Sequence, residues 1–337
     1  MSTQKITSME VAKLAGVSQS AVSRVFTPGA SSSKKTNELV RKAAAELGYR
    51  PNVLARSLIT GKSRMIGLVV AYLDNYFYPE ALELLSSALQ KKGYHVLIFM
   101  SGNKEGDIAE AVDEILDYQV DGIIAASVSM SSDLAKRCTS AGVPVVLFNR
   151  TQDDDRLSAV TSDNFQGGQK VARFLLAGGH KRIGYIAGWE GASTQRDREK
   201  GFTEELVRNG QELYAREVGN FNSDEARQAA RTMFSKKHFP DAVFVANDAM
   251  AIAVIDVIRF ELGLQVPEQV SVVGYDDVPI SSWPAYDLTT VRQPANRMVA
   301  ETVSILIESI ENKTTTARRI EIDGPLMVRG SAKISDT

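Results

Sequence analysis

Polar residues recur at the ends of short β-branched runs in this 337-residue chain: Asn149-Arg150, Asp163-Asn164, Asn247-Asp248 and Asp276-Asp277, with Arg196 falling between the second and third pairs. Ligands of open α/β sheets bind at the carboxyl ends of strands, which is where most of these fall. Amides, carboxylates and guanidinium groups with no nucleophile or metal set among them suit hydrogen bonding to a polyhydroxylated ligand better than covalent chemistry. The sequence has no GxGxxG after a strand, no GxxxxGK[ST] phosphate loop and no GxSxG elbow. His95, His180 and His238 lie far apart without metal-ligand spacing, and structural roles are expected for the first two. No enzyme activity, cofactor or metal is therefore expected.

The elements that must hold these residues follow from the pattern around them. From Ile66 onward, runs such as Ile66–Ala71, Tyr94–Met100, Gly122–Ala126, Val143–Phe148, Arg182–Ala187, Ala242–Ala246 and Val270–Gly274 alternate with segments of helical periodicity. Glu80–Lys92 and Asn247–Leu262 are two of those segments. That alternation predicts parallel sheets covered by helices. The stretch is longer than one such core usually holds, so two α/β lobes with a cleft between them are expected. The segments around Ser162-Asp163-Asn164 and Thr289–Gln293 are candidate crossings between the lobes.

Composition narrows the class further. The chain has 44% hydrophobic and 24% charged residues, which excludes wholesale disorder. Its single cysteine, Cys138, excludes an internal disulfide framework. No run of some 18 apolar residues reads as a membrane span, and the first residues lack the apolar core of a signal peptide, so a cytoplasmic protein without membrane contact is expected. The net charge of −2 conceals an asymmetry: residues 1–64 hold eleven Lys/Arg against three acids, and the remainder holds 28 bases against 38 acids. A basic head on an acidic body predicts that the head alone meets a polyanion.

Within the head, Thr7-Ser8-Met9-Glu10 fits a capping box opening a helix with Val11, Leu14 and Ala15 inward. Gly16 suits a tight turn, and Ser18 can cap a second helix whose inner face is Val22, Val25 and Phe26. Gln19, Ser20, Ser23 and Arg24 are left facing outward, near the start of a helix, with side chains suited to base edges in a major groove. A third helix, about Lys34 to Leu47, covers the pair through Leu39, Val40, Ala43, Ala44 and Leu47. These features predict a helix-turn-helix. In the segment that follows, Pro51 stops the third helix and Asn52 could cap a turn or two ending at Gly61. A helix that short is marginal alone. Composition favours a linker, with folding against a second copy and DNA as the alternative.

In order and at these intervals, several motifs are specific together. They are Glu10-Val11-Ala12, Ala15-Gly16-Val17-Ser18, Val22-Ser23-Arg24-Val25, Gly48-Tyr49-Arg50-Pro51-Asn52, Ala55-Arg56-Ser57-Leu58, Ala246-Asn247-Asp248, Val273-Gly274-Tyr275-Asp276-Asp277 and Leu288-Thr289-Thr290-Val291. Carrying them, the chain resembles the LacI/GalR family of transcriptional regulators over essentially its full length. The resemblance implies a small all-α head plus an α/β body of two doubly wound lobes, like periplasmic sugar-binding proteins. It divides the chain into a DNA-binding domain at 1–49, a hinge helix and linker at 50–63, and an effector-binding and dimerisation domain at 64–337. Lobe 1 would take about 64–163 and 294–324, lobe 2 about 164–293 and 325–337.

By the same resemblance Gln19, Ser20, Ser23 and Arg24 are the major-groove readers. Asn52, Ala55 and Leu58 belong to a hinge helix that pairs with its twin in the minor groove, where Leu58 is the wedge at the central base step. This reverses the linker preference, on the family's authority. Effector contacts are implied for Asn75, Phe77, Tyr78, Asn149, Asp163, Arg196, Phe221, Asn247 and Asp276, with Arg196 as the arginine gripping ligand hydroxyls. The purine-responsive member has its ligand arginine where this chain has Ala192, which favours a sugar.

Three departures stand out. The cleft motif reads Asn75-Tyr76-Phe77-Tyr78, bulkier than the family's Asn-Pro-Phe-Phe. Asp287 replaces a proline before the Leu-Thr-Thr segment, and Asn37 replaces an arginine in the third helix. The C-terminal residues form no apolar heptad, so a homodimer on a pseudo-palindromic operator of double-stranded DNA is expected. The implied function is a sequence-specific repressor controlled by a small sugar-like effector, which could either release DNA or be required for binding. The alternative is a sugar-binding module without a regulatory role.

Overall fold

The computed structural model describes residues 6–27, 30–50, 61–71, 73–102, 105–128, 130–152, 156–312 and 316–334. The chain divides into two compact units, Met1–Arg64 and Met65–Thr337.

The first unit contains three helices, α1 (Ser8–Ala15), α2 (Gln19–Phe26) and α3 (Lys34–Leu47). Thr7 caps α1: its hydroxyl accepts from the Glu10 amide while the Glu10 carboxylate accepts from the Thr7 amide at 2.7 Å. Gly16 ends α1 in the left-handed region (φ 64°), where a side chain would be strained, and turns the chain into α2. Ser18 and Ser33 cap α2 and α3 through their hydroxyls. Val11, Ala12, Ala15, Val22, Val25, Val40, Ala43 and Ala44 form the core, with Phe26 and Tyr49 in contact at its edge. Leu14 and Leu39, expected inside, are exposed. On helices this short the inward stripe is only two or three residues wide, and Ala12 rather than Leu14 falls on it.

The second unit holds two six-stranded sheets. One is built from β1 (Met65–Val70), β2 (His95–Met100), β3 (Gly122–Ala126), β4 (Val145–Phe148), β5 (Ser158–Ser162) and β11 (Arg319–Ile322), in the order β11-β5-β4-β3-β1-β2, all parallel. Helices α4 (Phe77–Lys91) and α11 (Ala295–Asn312) cover one face, and α5 (Glu105–Asp117) and α6 (Ser132–Ser140) the other. The strands are apolar on both faces because both are covered: Ile66, Leu68 and Val70 pack toward α4 and α11, Val69 toward α5.

The second sheet contains β6 (Ile183–Ala187), β7 (Ala215–Val218), β8 (Ala242–Val245), β9 (Ser271–Asp276), β10 (Thr289–Arg292) and β12 (Leu326–Met327), in the order β12-β10-β9-β8-β6-β7. Only β12 runs antiparallel to its neighbour. Its helices are α7 (Asn164–Ala177), α8 (Ser193–Arg208), α9 (Ser223–Phe234) and α10 (Asp248–Asp256), the last continuing into a π turn at Val257–Glu261. Helices α7 and α8 meet at glycines. A Cβ on Gly201 would lie 2.0 Å from the Phe165 carbonyl oxygen, and one on Gly168 would lie 2.2 Å from that of Arg198.

The chain passes between the sheets three times: at Asp163, at Gln293-Pro294 and at Asp323–Pro325. Thr289–Arg292, expected within a crossing, is a strand buried at its first three residues, and the crossing begins only at Gln293. Strands β5, β7, β11 and β12 were not anticipated. Ser158–Ser162 is polar at both ends, Ala215–Val218 and Arg319–Ile322 carry charges on sheet edges, and β12 has two residues, so none shows an apolar run. No helix among the described residues is long and apolar enough to cross a membrane.

Candidate ligand cleft and nucleic-acid interface

Four strand ends point their last residues into the region between the two sheets, and non-glycine residues there adopt left-handed backbone. These are Ser127 after β3 (φ 62°), Asn149 after β4 (φ 65°), Phe221 beyond β7 (φ 57°), and Asp276 and Asp277 at the end of β9 (φ 122° and 58°). Such conformations cost about 1–3 kcal/mol each and cluster where a site requires them.

From the first sheet come Asn149, Arg150, Phe77 and Tyr78. Asn149 is buried and its Nδ2 donates to Tyr78 Oη at 3.0 Å. Phe77 stacks on Phe148, with ring centroids 6.2 Å apart, and belongs to the core cluster of its lobe. Arg150 is fully buried with its guanidinium 5.3 Å from the Trp189 ring of the opposite lobe. From the second sheet come Asn247, Asp276 and Phe221. Asn247 caps α10, its Oδ1 accepting from the Met250 amide at 3.0 Å. The Phe221 ring lies against Gly188, where a Cβ would come within 2.2 Å of it.

Asp276 is the hub. It is 3% exposed, and its carboxylate accepts from Asn75 Nδ2 (3.1 Å) across the cleft and from Gln293 Nε2 (2.7 Å) on a crossing segment. Arg198 Nη2 stands 3.6 Å from it. Burial raises the Asp276 pKa, with Arg198 pulling the other way. Beneath it, Asp248 is fully buried and receives Thr290 Oγ1 (2.6 Å), Ser281 Oγ (2.7 Å) and the Val278 amide (3.0 Å). Burial, reinforced by the Asp276 charge, pushes its pKa up to about 7. Asp248 is therefore a structural post under the cleft.

One expected contact is displaced. Arg196 is exposed and pairs with its neighbour Asp197 at 2.9 Å; the buried arginine is Arg198. The inward stripe of α8 is Thr194, Gln195, Arg198, Gly201, Phe202 and Glu205, a helical repeat that residue 196 misses. Arg198 Nε donates to Asn164 Oδ1 (2.8 Å), Nη1 to the Ala246 carbonyl (2.5 Å), and the guanidinium lies 3.6 Å from the Tyr275 ring centroid. Asp163 caps α7 at the first crossing, its Oδ1 accepting from the Gln166 amide at 2.9 Å. Ser127 and Trp189 join the cleft without having been named, and Arg150 and Gln293 without having been given a ligand role. Arg150 was legible as half of a polar strand end, whereas Ser127 and Gln293 have only their place at an element's end to mark them.

The buried polar atoms around this space with no hydrogen-bond partner among the described residues include Ser127 Oγ, Asn149 Oδ1, Asn247 Nδ2 and Gln293 Oε1. Leaving such groups unsatisfied costs about 1–3 kcal/mol each. Two acceptors, a donor and a hydroxyl that is both are the complement of a molecule bearing several hydroxyls. No group of three or more His, Cys, Asp or Glu residues that could hold a metal ion occurs among the described residues.

In the first unit, Gln19, Ser20, Ser23 and Arg24 are exposed on one face of α2. Gln19 Nε2 donates to Ser8 Oγ at 3.0 Å, Ser20 Oγ bonds Ser18 Oγ at 2.9 Å, and Arg24 Nε lies 3.4 Å from the Ser20 carbonyl. Asn37 Oδ1 accepts from Arg41 Nε at 2.6 Å and so orients that cation. Asn52, Ala55 and Leu58 lie outside the described residues.

Residues 7–52 match the model of bacterial regulatory proteins of the lacI family, and residues 172–332 match a periplasmic binding protein-like domain. The HTH-type transcriptional repressor PurR of Pasteurella multocida is 31% identical over 96% of this chain and 98% of its own length. The chain belongs to the lacI family of bacterial regulatory proteins. Another relative in this family, the HTH-type transcriptional regulator CelR of Thermobifida fusca, is 33% identical over 95% of this chain and 96% of its own. Among solved structures, a lac repressor dimer bound to operator and the anti-inducer ONPF superposes with a TM-score of 0.88 at 28% identity, covering 97% of this chain and 99% of that one. A transcriptional regulator CelR–cellobiose complex gives 0.73 at 31% identity, covering 97% and 100%. Both lacI-family architectural parts, the helix-turn-helix and the two-lobed body, are present here.

Proposed function

We propose that the chain is a sequence-specific DNA-binding transcriptional regulator, a repressor, whose hold on its operator is set by a sugar-like effector bound between the two lobes. The observation carrying this reading is the set of four unsatisfied buried atoms (Ser127 Oγ, Asn149 Oδ1, Asn247 Nδ2 and Gln293 Oε1) at the strand ends of a two-lobed body. Asn75, Phe77, Tyr78, Asn149, Phe221, Asn247 and Asp276 line the effector site, with Asp163 at the neighbouring crossing. Arg198 takes the place expected for Arg196. Gln19, Ser20, Ser23 and Arg24 read base edges, and Asn52, Ala55 and Leu58 add the hinge contacts. The relatives named as repressors, the operator-bound lac repressor dimer and the CelR–cellobiose complex support this reading, including a homodimer on double-stranded DNA.

The switch works through differential affinity. Asn75 from one lobe meets Asp276 of the other, and the Thr151 amide donates to Ser193 Oγ at 2.9 Å across the same gap. A ligand that competes for Asp276 changes how the lobes are held. A hundredfold change in the ratio of two states needs about 2.7 kcal/mol of difference in ligand binding.

Two measurements test this together. Genomic fragments captured by the purified protein at moderate salt share a pseudo-palindrome, and one member of a panel of neutral sugars alters that capture. The Asn247→Ala variant keeps the capture and loses the sugar response. Capture without sequence preference, fading steeply with salt, refutes the regulator reading; absence of any sugar response refutes the effector class.

A further inference from the structure

The outward residues of α2 are not all held in the same way. Ser20 Oγ bonds Ser18 Oγ, the cap of α2, and Arg24 Nε reaches the Ser20 carbonyl one turn back, so both find their partners on their own helix. Gln19 is held from the other helix: its Nε2 donates to Ser8 Oγ at 3.0 Å, eleven residues earlier in the chain. Ser8 is the first residue of α1 and Gln19 the first of α2, so this bond ties the two helix starts together. The anchor is itself fixed. Beside Ser8, the Glu10 carboxylate accepts from the Thr7 amide at 2.7 Å and from the Thr7 hydroxyl at 2.9 Å, which locks the first turn of α1. Ser8 is half-buried, and Gln19 is exposed.

A glutamine amide has two N–H donors and one oxygen acceptor. With one N–H engaged by Ser8, Gln19 has a single N–H and Oε1 left, and neither has a partner among the described residues. That remainder matches one base. In the major groove adenine shows an acceptor at N7 beside a donor at N6, whereas guanine shows two acceptors, N7 and O6. An untethered amide can turn both N–H groups toward guanine. The amide held by Ser8 has only one to give, and its oxygen would then face an acceptor. Cytosine N4 and thymine O4 each meet only half of what Gln19 presents.

We infer that Ser8 is a positioning residue for base readout: by holding Nε2 it makes Gln19 select adenine and reject guanine at one position of each half-site. This rests on the DNA-reading role proposed for α2; the part played by Ser8 and the identity of the base stand on the Ser8–Gln19 bond.

Selection of bound duplexes from a randomised pool, read by sequencing, tests this on the full chain and on Gln19→Ala, Ser8→Ala and Ser8→Thr, with thermal melting as the check on folding. The wild type is expected to enrich adenine over guanine by about tenfold or more at one position of each half-site, and Gln19→Ala to bring that ratio to within about twofold. Ser8→Ala is expected to cut the ratio by about fivefold or more, by admitting guanine at that position alone. Ser8→Thr keeps a hydroxyl at the same place and is expected to restore the ratio. The inference is overturned if the position relaxed in Gln19→Ala prefers a base other than adenine, or if Ser8→Ala leaves the ratio unchanged, weakens every position alike or is not rescued by Ser8→Thr. A wild type that enriches no sequence overturns the regulator reading itself, and this inference with it.

Discussion

Replacing Arg198 by methionine keeps an unbranched apolar stem in the same space and deletes every polar contact of the guanidinium. Those contacts are two hydrogen bonds, at 2.8 Å to Asn164 and 2.5 Å to the Ala246 carbonyl, the charge 3.6 Å from Asp276, and the face of Tyr275. Removing one partner of a buried ion pair costs about 3–5 kcal/mol, chiefly because the remaining charge is left in a poor solvent. Asp276 has a way out. Burial already raises its pKa, and loss of Arg198 raises it further, so the carboxyl takes up a proton as pH falls.

The penalty is therefore full at high pH, where Asp276 is charged, and declines as pH falls through its raised pKa. At pH 8 the Arg198→Met protein should lose about 3–5 kcal/mol, and distinctly less as pH is lowered. Adding Asp276→Asn should return part of the loss at pH 8, because the stranded charge is gone. Urea unfolding followed by tryptophan fluorescence suits the measurement, since both tryptophans, Trp189 and Trp283, lie in the second unit. A loss below about 1 kcal/mol at pH 8, the worth of one ordinary hydrogen bond, or a loss that does not change with pH, refutes the argument.

Asp248 carries the same pH sense in the unsubstituted protein, so here the variant gains rather than loses as pH rises. With its pKa raised to about 7, its contribution is fully present below pH 4 and is lost as pH rises through 7. Asp248→Asn should accordingly gain on wild type between pH 5 and pH 8, by an amount on the order of 3 kcal/mol, each tenfold change in proton affinity being worth about 1.4 kcal/mol; parallel stability curves would contradict this. Gly201→Ala should force α7 and α8 apart at the Phe165 carbonyl, costing about 1–3 kcal/mol and lowering the melting temperature by roughly 3–10 °C; an unchanged melting temperature would show that the helices separate freely. Arg24→Gln should weaken the captured operator site by about 10–100-fold, the worth of one bidentate base contact, with little change on random DNA. An equal loss on both would make Arg24 a phosphate contact instead.

How much of this was legible in the sequence differs by element. The head was largely so, because its signals are local: a capping box at Thr7, a glycine at the turn and a serine cap at residue 18 act within a few residues of themselves, while the cap at Ser33 went unread. The central strands were visible as apolar runs because both faces of each sheet are covered. Edge strands such as Ala215–Val218 were not, since half of their surface meets water and their stability comes from the neighbouring strand rather than from their own composition. In the cleft, Asn149, Asn247 and Asp276 announced themselves as polar residues after buried strands. Arg198 did not, because two arginines two positions apart differ only in the phase of a helix, which is fixed by the glycine and phenylalanine at 201 and 202. Gln293 was marked only as the end of a candidate crossing; its place in the cleft comes from Asp276, seventeen residues away.

The three crossings between the lobes also govern how the chain is made. The first sheet has its strands β1–β5 by residue 162, yet α11, which covers one of its faces, is complete only at Asn312, and β11 closes its edge later still. At about 5–20 residues per second, a ribosome needs roughly 10–30 s to bridge that interval. Throughout it, the face of Ile66, Leu68, Ile124 and Val146 is without half of its cover and β5 is an open edge. The second lobe must likewise wait for β12. The three-helix head, finished within the first fifty residues, waits for nothing that follows, so each nascent chain carries a folded basic head tens of seconds before its body can close.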